Sequence, residues 1–189
     1  MYKRQIWNEP DNLNPLSYGR LEPSRKLDSV LELLSQAFVW ARGARPVQPL
    51  TSGVWQGDWS TDATLNSIQK VQLSQSDVLS FHCYGRPEEF ENRTRWLQRY
   101  GRPVLCTEYM ARPLDSTFSQ IMPVAKRLRV AALNWGLVAG KTQTWLPWDS
   151  WNRPYVDVQP REWFHDVFHR DGAPYRPAEI EILRRLATP

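Results

Sequence analysis

The feature that most constrains this chain is the alternation of short strand patterns with amphipathic helix patterns along almost its whole length. Such alternation points to parallel β/α units, because neighbouring parallel strands need a long crossover and a helix supplies it. Arg4-Gln-Ile-Trp-Asn-Glu-Pro10 reads as a short strand, closed by Pro10 and the Asp11-Asn12 turn signal. A helix is expected from Pro23 to Gly43, where Leu27, Val30, Leu31, Leu34, Phe38 and Ala41 recur at three and four. Pro46 to Trp55 is a second strand, weakened by its prolines. A helix over about Ala63 to Gln75 follows, then a strand from Asp77 to Gly85 and a helix from Pro87 to Arg99. Pro103 to Tyr109 is the fourth strand. Ser116 is placed as the cap of a helix reaching Arg129, which Pro123 should bend or interrupt. Val130 to Val138 is the fifth strand, followed by a Trp-rich loop and a last helix that begins near Pro177.

The class is therefore α/β, with about five parallel strands and flanking helices in one domain, residues 1–189. A complete eight-fold β/α barrel needs about 250 residues, so only part of a (β/α)8 TIM barrel fits here. No glycine-rich phosphate loop follows the first strand, which removes the main support for a dinucleotide-binding sheet. A net charge of +4 with dispersed basic residues, and no aromatic-basic motif, argues against a nucleic-acid partner. No apolar run is long enough to span a membrane, so no membrane partner is expected. Met1 to Pro10 has no signal-peptide core. Cys83 and Cys106 fall on opposite strand faces, so no bridge is expected, and the three histidines lack the spacing of a zinc site. Neither a metal nor a cofactor is called for.

Two carboxylates stand out. Glu9 and Glu108 each sit at the C-terminal end of an expected strand with a loop signal behind it, and that rim carries the active site in β/α barrels. Facing carboxylates suit glycoside hydrolysis: one, protonated, delivers a proton to the leaving oxygen and the other attacks the anomeric carbon. A separation of roughly 5–5.5 Å gives retention and roughly 6.5–9.5 Å gives inversion, a distance that residue order does not supply. Ten tryptophans are many for a chain of 189 residues, and several lie among polar residues, as in Trp145-Leu-Pro-Trp148-Asp-Ser-Trp151. Indoles so placed either stack on the apolar faces of sugars or fill a core.

Four segments in order carry a family resemblance. Trp7-Asn8-Glu9-Pro10 resembles the strand-four signature of clan-A glycoside hydrolases. Phe81-His82-Cys83-Tyr84 looks like strand six of cellulase- and xylanase-like members of the family-five type. Val104-Leu-Cys-Thr-Glu108-Tyr109 looks like strand seven, and Asn134-Trp135-Gly136-Leu137 like strand eight. The resemblance implies that Glu9 is the acid/base and Glu108 the nucleophile. It implies that Asn8 binds the sugar 2-hydroxyl, that Tyr84 hydrogen-bonds Glu108 and that His82 lines the same wall. Trp135 would lie under the reacting sugar, with Trp145 and Trp148 as rivals for that place.

Strands one to three and the family's strand-two arginine have no counterpart. Open strand edges are expected to bring a homodimer, a missing N-terminal half barrel or marginal stability. The isolated chain is expected to be weakly active or inactive. The function expected is retaining hydrolysis of a β-linked polysaccharide or oligosaccharide. The alternatives are an inactive carbohydrate-binding remnant and an unrelated α/β enzyme.

Overall fold

A computed structural model describes residues 4–13 and 21–187. Among them five strands alternate with five α-helices: β1 Arg4–Gln5, α1 Lys26–Gly43, β2 Leu50–Thr51, α2 Ser67–Gln75, β3 Leu79–His82 and α3 Pro87–Gln98, then β4 Val104–Tyr109, α4 Phe118–Leu128, β5 Ala131–Asn134 and α5 Pro177–Ala187. Short 3-10 turns cover Arg112–Leu114 and Trp148–Trp151. The residues group into two units, one of residues up to 82 with 95–105, the other of 83–94 with 106 onward.

In the first unit β1 pairs in parallel with β2, Arg4 opposite Leu50. The strand expected over Pro46 to Trp55 is only two residues long as a regular strand. Pro46 and Pro49 cannot donate to a ladder, although the Pro49 carbonyl still accepts from Arg4 N at 2.9 Å. Beyond β2 the chain touches β3 through a parallel bridge, Val54 to Phe81. β3 pairs onward with β4, beginning at Leu79 N to the Pro103 carbonyl, 2.8 Å. All four residues of β3 are buried, as suits a parallel strand covered on both faces.

The helix α1 lays Val30, Leu34 and Phe38 against Leu50 and Ile68, with Trp7 and Leu31 packed beside them. Burying such a side chain contributes roughly 1.5–3 kcal/mol, so this stripe fixes the helix on the strands. Leu27, expected on the same stripe, is 44% exposed; it lies in the first turn, where the stripe runs off the core. The helix expected from Ala63 begins at Ser67 instead. Thr61 and Thr64 spend their hydroxyls on a turn, and Asn66 and Gln69 then form a reciprocal capping box.

In the second unit β4 pairs with β5, and Trp135 N donates to the Tyr109 carbonyl at 3.1 Å. Ser116 is not the cap of α4. It lies in an extended bridge with Ala111, and its hydroxyl accepts from Met110 N at 3.3 Å. Thr117 takes the cap position, though its hydroxyl meets Ser119 Oγ at 3.0 Å rather than capping a backbone N–H. Nor does Pro123 interrupt α4, which continues to Leu128. Pro123 and Ser119, whose carbonyl loses its partner, both face solvent, and water can satisfy that group. The expected strand Val130 to Val138 is regular only to Asn134, because Gly136 turns the backbone to φ 83°.

Candidate active site

Glu9 belongs to the first unit. It is not at a strand end as the sequence suggests: β1 stops at Gln5, and Glu9 sits four residues on, in a turn closed by Asn12 N to the Glu9 carbonyl at 3.0 Å. Pro10 cannot continue a ladder, and Glu9 itself takes a left-handed backbone, φ 42°. A non-glycine residue there is uncommon and marks a position the surroundings hold. Both carboxylate oxygens are engaged. Oε1 lies 2.6 Å from His82 Nδ1 with one proton between them, and Oε2 accepts from Asn12 Nδ2 at 2.7 Å. His82 is itself buried at the end of β3. Asn8 is exposed, and its side-chain oxygen accepts from Gln5 Nε2 at 2.8 Å. Beside this turn Asp11 is buried and accepts from Trp55 Nε1 at 2.8 Å, which ties the turn to the segment after β2.

Glu108 belongs to the second unit and to β4, with 8% of its surface exposed. Its backbone carbonyl accepts from Cys83 N at 3.0 Å, and its Oε2 accepts from Tyr84 Oη at 2.9 Å. Tyr84 is wedged in turn: Trp148 meets it edge-on at 5.1 Å between ring centres, and His165 lies tilted at 5.4 Å. Cys83 and Cys106 are free buried thiols. Burial pushes the Cys83 thiol up to about 11 and the Cys106 thiol well above its usual range, so neither is a nucleophile near neutral pH.

The Trp-rich loop of the second unit encloses an open cleft of about 590 Å³, lined by Trp135, Thr144, Trp148, Trp151, Tyr155 and His165 among others. Trp135 and Trp148 are each 45% exposed and Trp151 66%, so these indoles are not core filling. Trp163 and Trp59 are buried and do serve the core. Trp145 stands apart from Trp135 and Trp148. It packs on Trp163 at 5.8 Å and lines a separate cleft with His169.

Asn12, Trp151, Tyr155 and His165 were not singled out as candidates from sequence. The Asp11-Asn12 pair is a turn signal that places a polar group near Glu9, and Trp151 belongs to a visible cluster. Nothing along the chain marks His165, which is buried and whose Nδ1 meets the Met110 carbonyl at 2.7 Å. Among the described residues no helix is long and apolar enough to cross a membrane.

No family model and no curated protein matches this sequence. Solved structures similar to it include the following three. One is a β-glucuronidase from Ruminococcus gnavus in complex with D-glucuronic acid, 16% identical with a TM-score of 0.47, covering 95% of this chain and 31% of that one. The second is an endo-β-1,4-mannanase from Thermotoga petrophila, 16% identical with a TM-score of 0.48, covering 85% and 39%. The third is a glycoside hydrolase family 5 mannosidase from Rhizomucor miehei, 12% identical with a TM-score of 0.44, covering 82% and 46%. The chain thus spans less than half the length of each of these structures.

Proposed function

We propose that this chain is part of a clan-A glycoside hydrolase barrel that cleaves a β-linked glycan with retention. Glu108 is the nucleophile and Glu9 the acid/base. The observation that carries the reading is Tyr84 Oη donating to Glu108 Oε2 at 2.9 Å, which orients a buried carboxylate on β4. Glu9, between His82 and Asn12, has a proton partner on one oxygen and an orienting amide on the other, as a group that must give and retake a proton requires. The half-exposed indoles of Trp135 and Trp148 supply flat apolar faces for sugar rings. On this reading Asn8 meets the 2-hydroxyl, and Trp145 lies away from the reacting sugar.

The chemistry follows in two steps. Glu108 forms a bond to the anomeric carbon while the glycosidic C–O bond breaks, and the Glu9 proton goes to the leaving oxygen. A water then gives its proton to Glu9 and its oxygen to the anomeric carbon, and the Glu108 ester bond breaks. The pair must approach within roughly 5–5.5 Å for this course. A further half barrel or a second copy would complete the ring, and light scattering across concentrations tests the second copy.

A low rate is expected of the isolated chain, so a trapping experiment suits it. Incubation with 2-deoxy-2-fluoro-β-glycosides bearing an activated leaving group should leave a glycosyl ester on Glu108, read by mass spectrometry. An ester on another residue would sink the assignment. A second reading, a carbohydrate-binding remnant without catalysis, is favoured by the aromatic cleft lying wholly within the second unit. Binding of soluble β-1,4-linked gluco-, manno- or xylo-oligosaccharides with no adduct and no turnover would select it.

A further inference from the structure

His165 is a buried histidine whose two ring nitrogens are both committed. The Met110 carbonyl, 2.7 Å from Nδ1, can only accept, so Nδ1 carries the proton. Met110 holds a left-handed backbone, φ 73°, and so stands in a conformation that its surroundings impose. In a neutral ring Nε2 is then an acceptor, and Trp148 Nε1 donates to it at 3.1 Å. The ring is framed on either side of its own residue: Arg112 Nη1 donates to the Trp163 carbonyl at 3.1 Å and Nη2 to the Asp166 carbonyl at 3.0 Å.

We propose that His165 is a positioning residue for the aromatic cleft: as its Nδ1–H tautomer it latches the Trp148 indole, and protonation of Nε2 releases that indole. The latch rests on the reading of the cleft as a glycan site only for what it positions, not for how it works. A charged ring would set an Nε2–H against the indole N–H, two donors with no acceptor between them. Trp148 would then leave its edge-on place beside Tyr84, and the platform would lose its fixed face.

The groups around the ring favour the neutral form. Burial holds His165 below the usual imidazole range, the bond to Met110 opposes this, and the Arg112 charge adds to it. Tyr84, tilted against the ring, spends its hydroxyl on Glu108. Asp166, next in the chain, accepts from Thr144 Oγ1 at 2.7 Å, and burial raises its carboxyl toward the neutral form. Neither nitrogen of His165 bonds to a carboxylate among the described residues.

The test is a pH titration of the indole N–H resonances by 1H–15N NMR, with Trp148→Phe assigning the signal. In the wild-type chain the Trp148 signal should shift with a midpoint below about 6.5, the ordinary imidazole value. Long-range 1H–15N correlations should show the Nδ1–H tautomer at neutral pH. His165→Gln keeps an acceptor oxygen but cannot titrate, so its Trp148 signal should stay fixed across the same range. Affinity for the oligosaccharide panel should fall roughly fivefold to tenfold in acid for wild type, the size of one lost hydrogen bond, and less than about twofold for His165→Gln. An Nε2–H tautomer at neutral pH, a Trp148 signal indifferent to pH, or an equal shift in His165→Gln overturns the latch. The tautomer is read on the wild-type chain, so a variant that does not fold leaves that answer intact. If Trp148 titrates as described while no oligosaccharide binds at any pH, the latch holds and the glycan reading fails.

Discussion

Arg112 and Glu179 form a buried, two-pronged pair across 67 residues of chain: Nε meets Oε1 at 2.8 Å and Nη2 meets Oε2 at 2.6 Å. The Arg112 side chain is fully buried and also lies over the Tyr175 ring at 4.9 Å. One guanidinium thus ties α5 to the segment that carries His165.

Removing one member should therefore cost more than an ordinary substitution. Arg112→Met leaves the Glu179 carboxylate with Arg176 Nη1 at 3.9 Å as its remaining cation, too far for a hydrogen bond. Breaking a buried pair destabilises by about 3–5 kcal/mol. Chemical denaturation should show that loss for Arg112→Met. A double variant replacing both residues with apolar ones of similar size should recover much of it.

Tyr84→Phe tests the hold on Glu108. The ring and its edge contact with Trp148 survive, but the 2.9 Å bond to Oε2 is lost. Hydrogen bonds to charged groups are worth about 1.5–3 kcal/mol. The rate of glycosyl-ester formation on Glu108 should accordingly fall roughly tenfold to a hundredfold. Thermal stability should change little, which separates this effect from unfolding.

Gly136→Ala should be poorly tolerated. Its φ of 83° is a conformation that side chains disfavour, and an added Cβ would lie 2.6 Å from Asp166 Oδ1 and 3.0 Å from His165 Cβ. The backbone term alone is about 1–2 kcal/mol, and the contacts must shift buried atoms. A lower melting temperature is expected, together with weaker oligosaccharide binding, since Trp135 precedes this glycine.

Stability should also depend on pH through His165. Its folded value lies below the unfolded value near about 6.5. Between the two, the unfolded chain binds the extra proton, so stability rises with pH across that window. The contribution is fully present above about 6.5 and is lost as pH falls toward the folded value. Asp166, raised by burial, acts in the opposite sense at lower pH, because its stabilisation fades as pH rises above its unfolded value. Comparing melting curves of wild type and His165→Gln between pH 5 and 8 isolates the histidine (roughly the span over which imidazole titrates). The two curves should diverge toward acid, and parallel curves would count against a buried neutral ring.

Much of the fold was legible because it follows from near neighbours in the chain. The spacing of four between Val30, Leu34 and Phe38 needs only helical geometry to become one face, and that face is buried. The strand around Leu79 to His82, and the position of Glu108 on β4, could be read in the same way. Element ends were less legible. Ser116 looked like a cap, yet a bridge to Ala111 claimed its backbone first.

The sequence by itself determined the alternation of strand and helix, the turn signal at Asp11-Asn12, the carboxylate on β4 and the abundance of indoles. These depend on local backbone preference and on residue chemistry, which a linear order records. Only the tertiary structure decided that Trp135 and Trp148 share a cleft while Trp145 joins Trp163 elsewhere. Only it brought His165 to Trp148 across 17 residues, to Met110 across 55, and Arg112 to Glu179 across 67. Such pairings have no period along the chain. They are fixed when buried polar groups must find partners in a packed interior, where an unsatisfied donor or acceptor costs more than the bond itself gains.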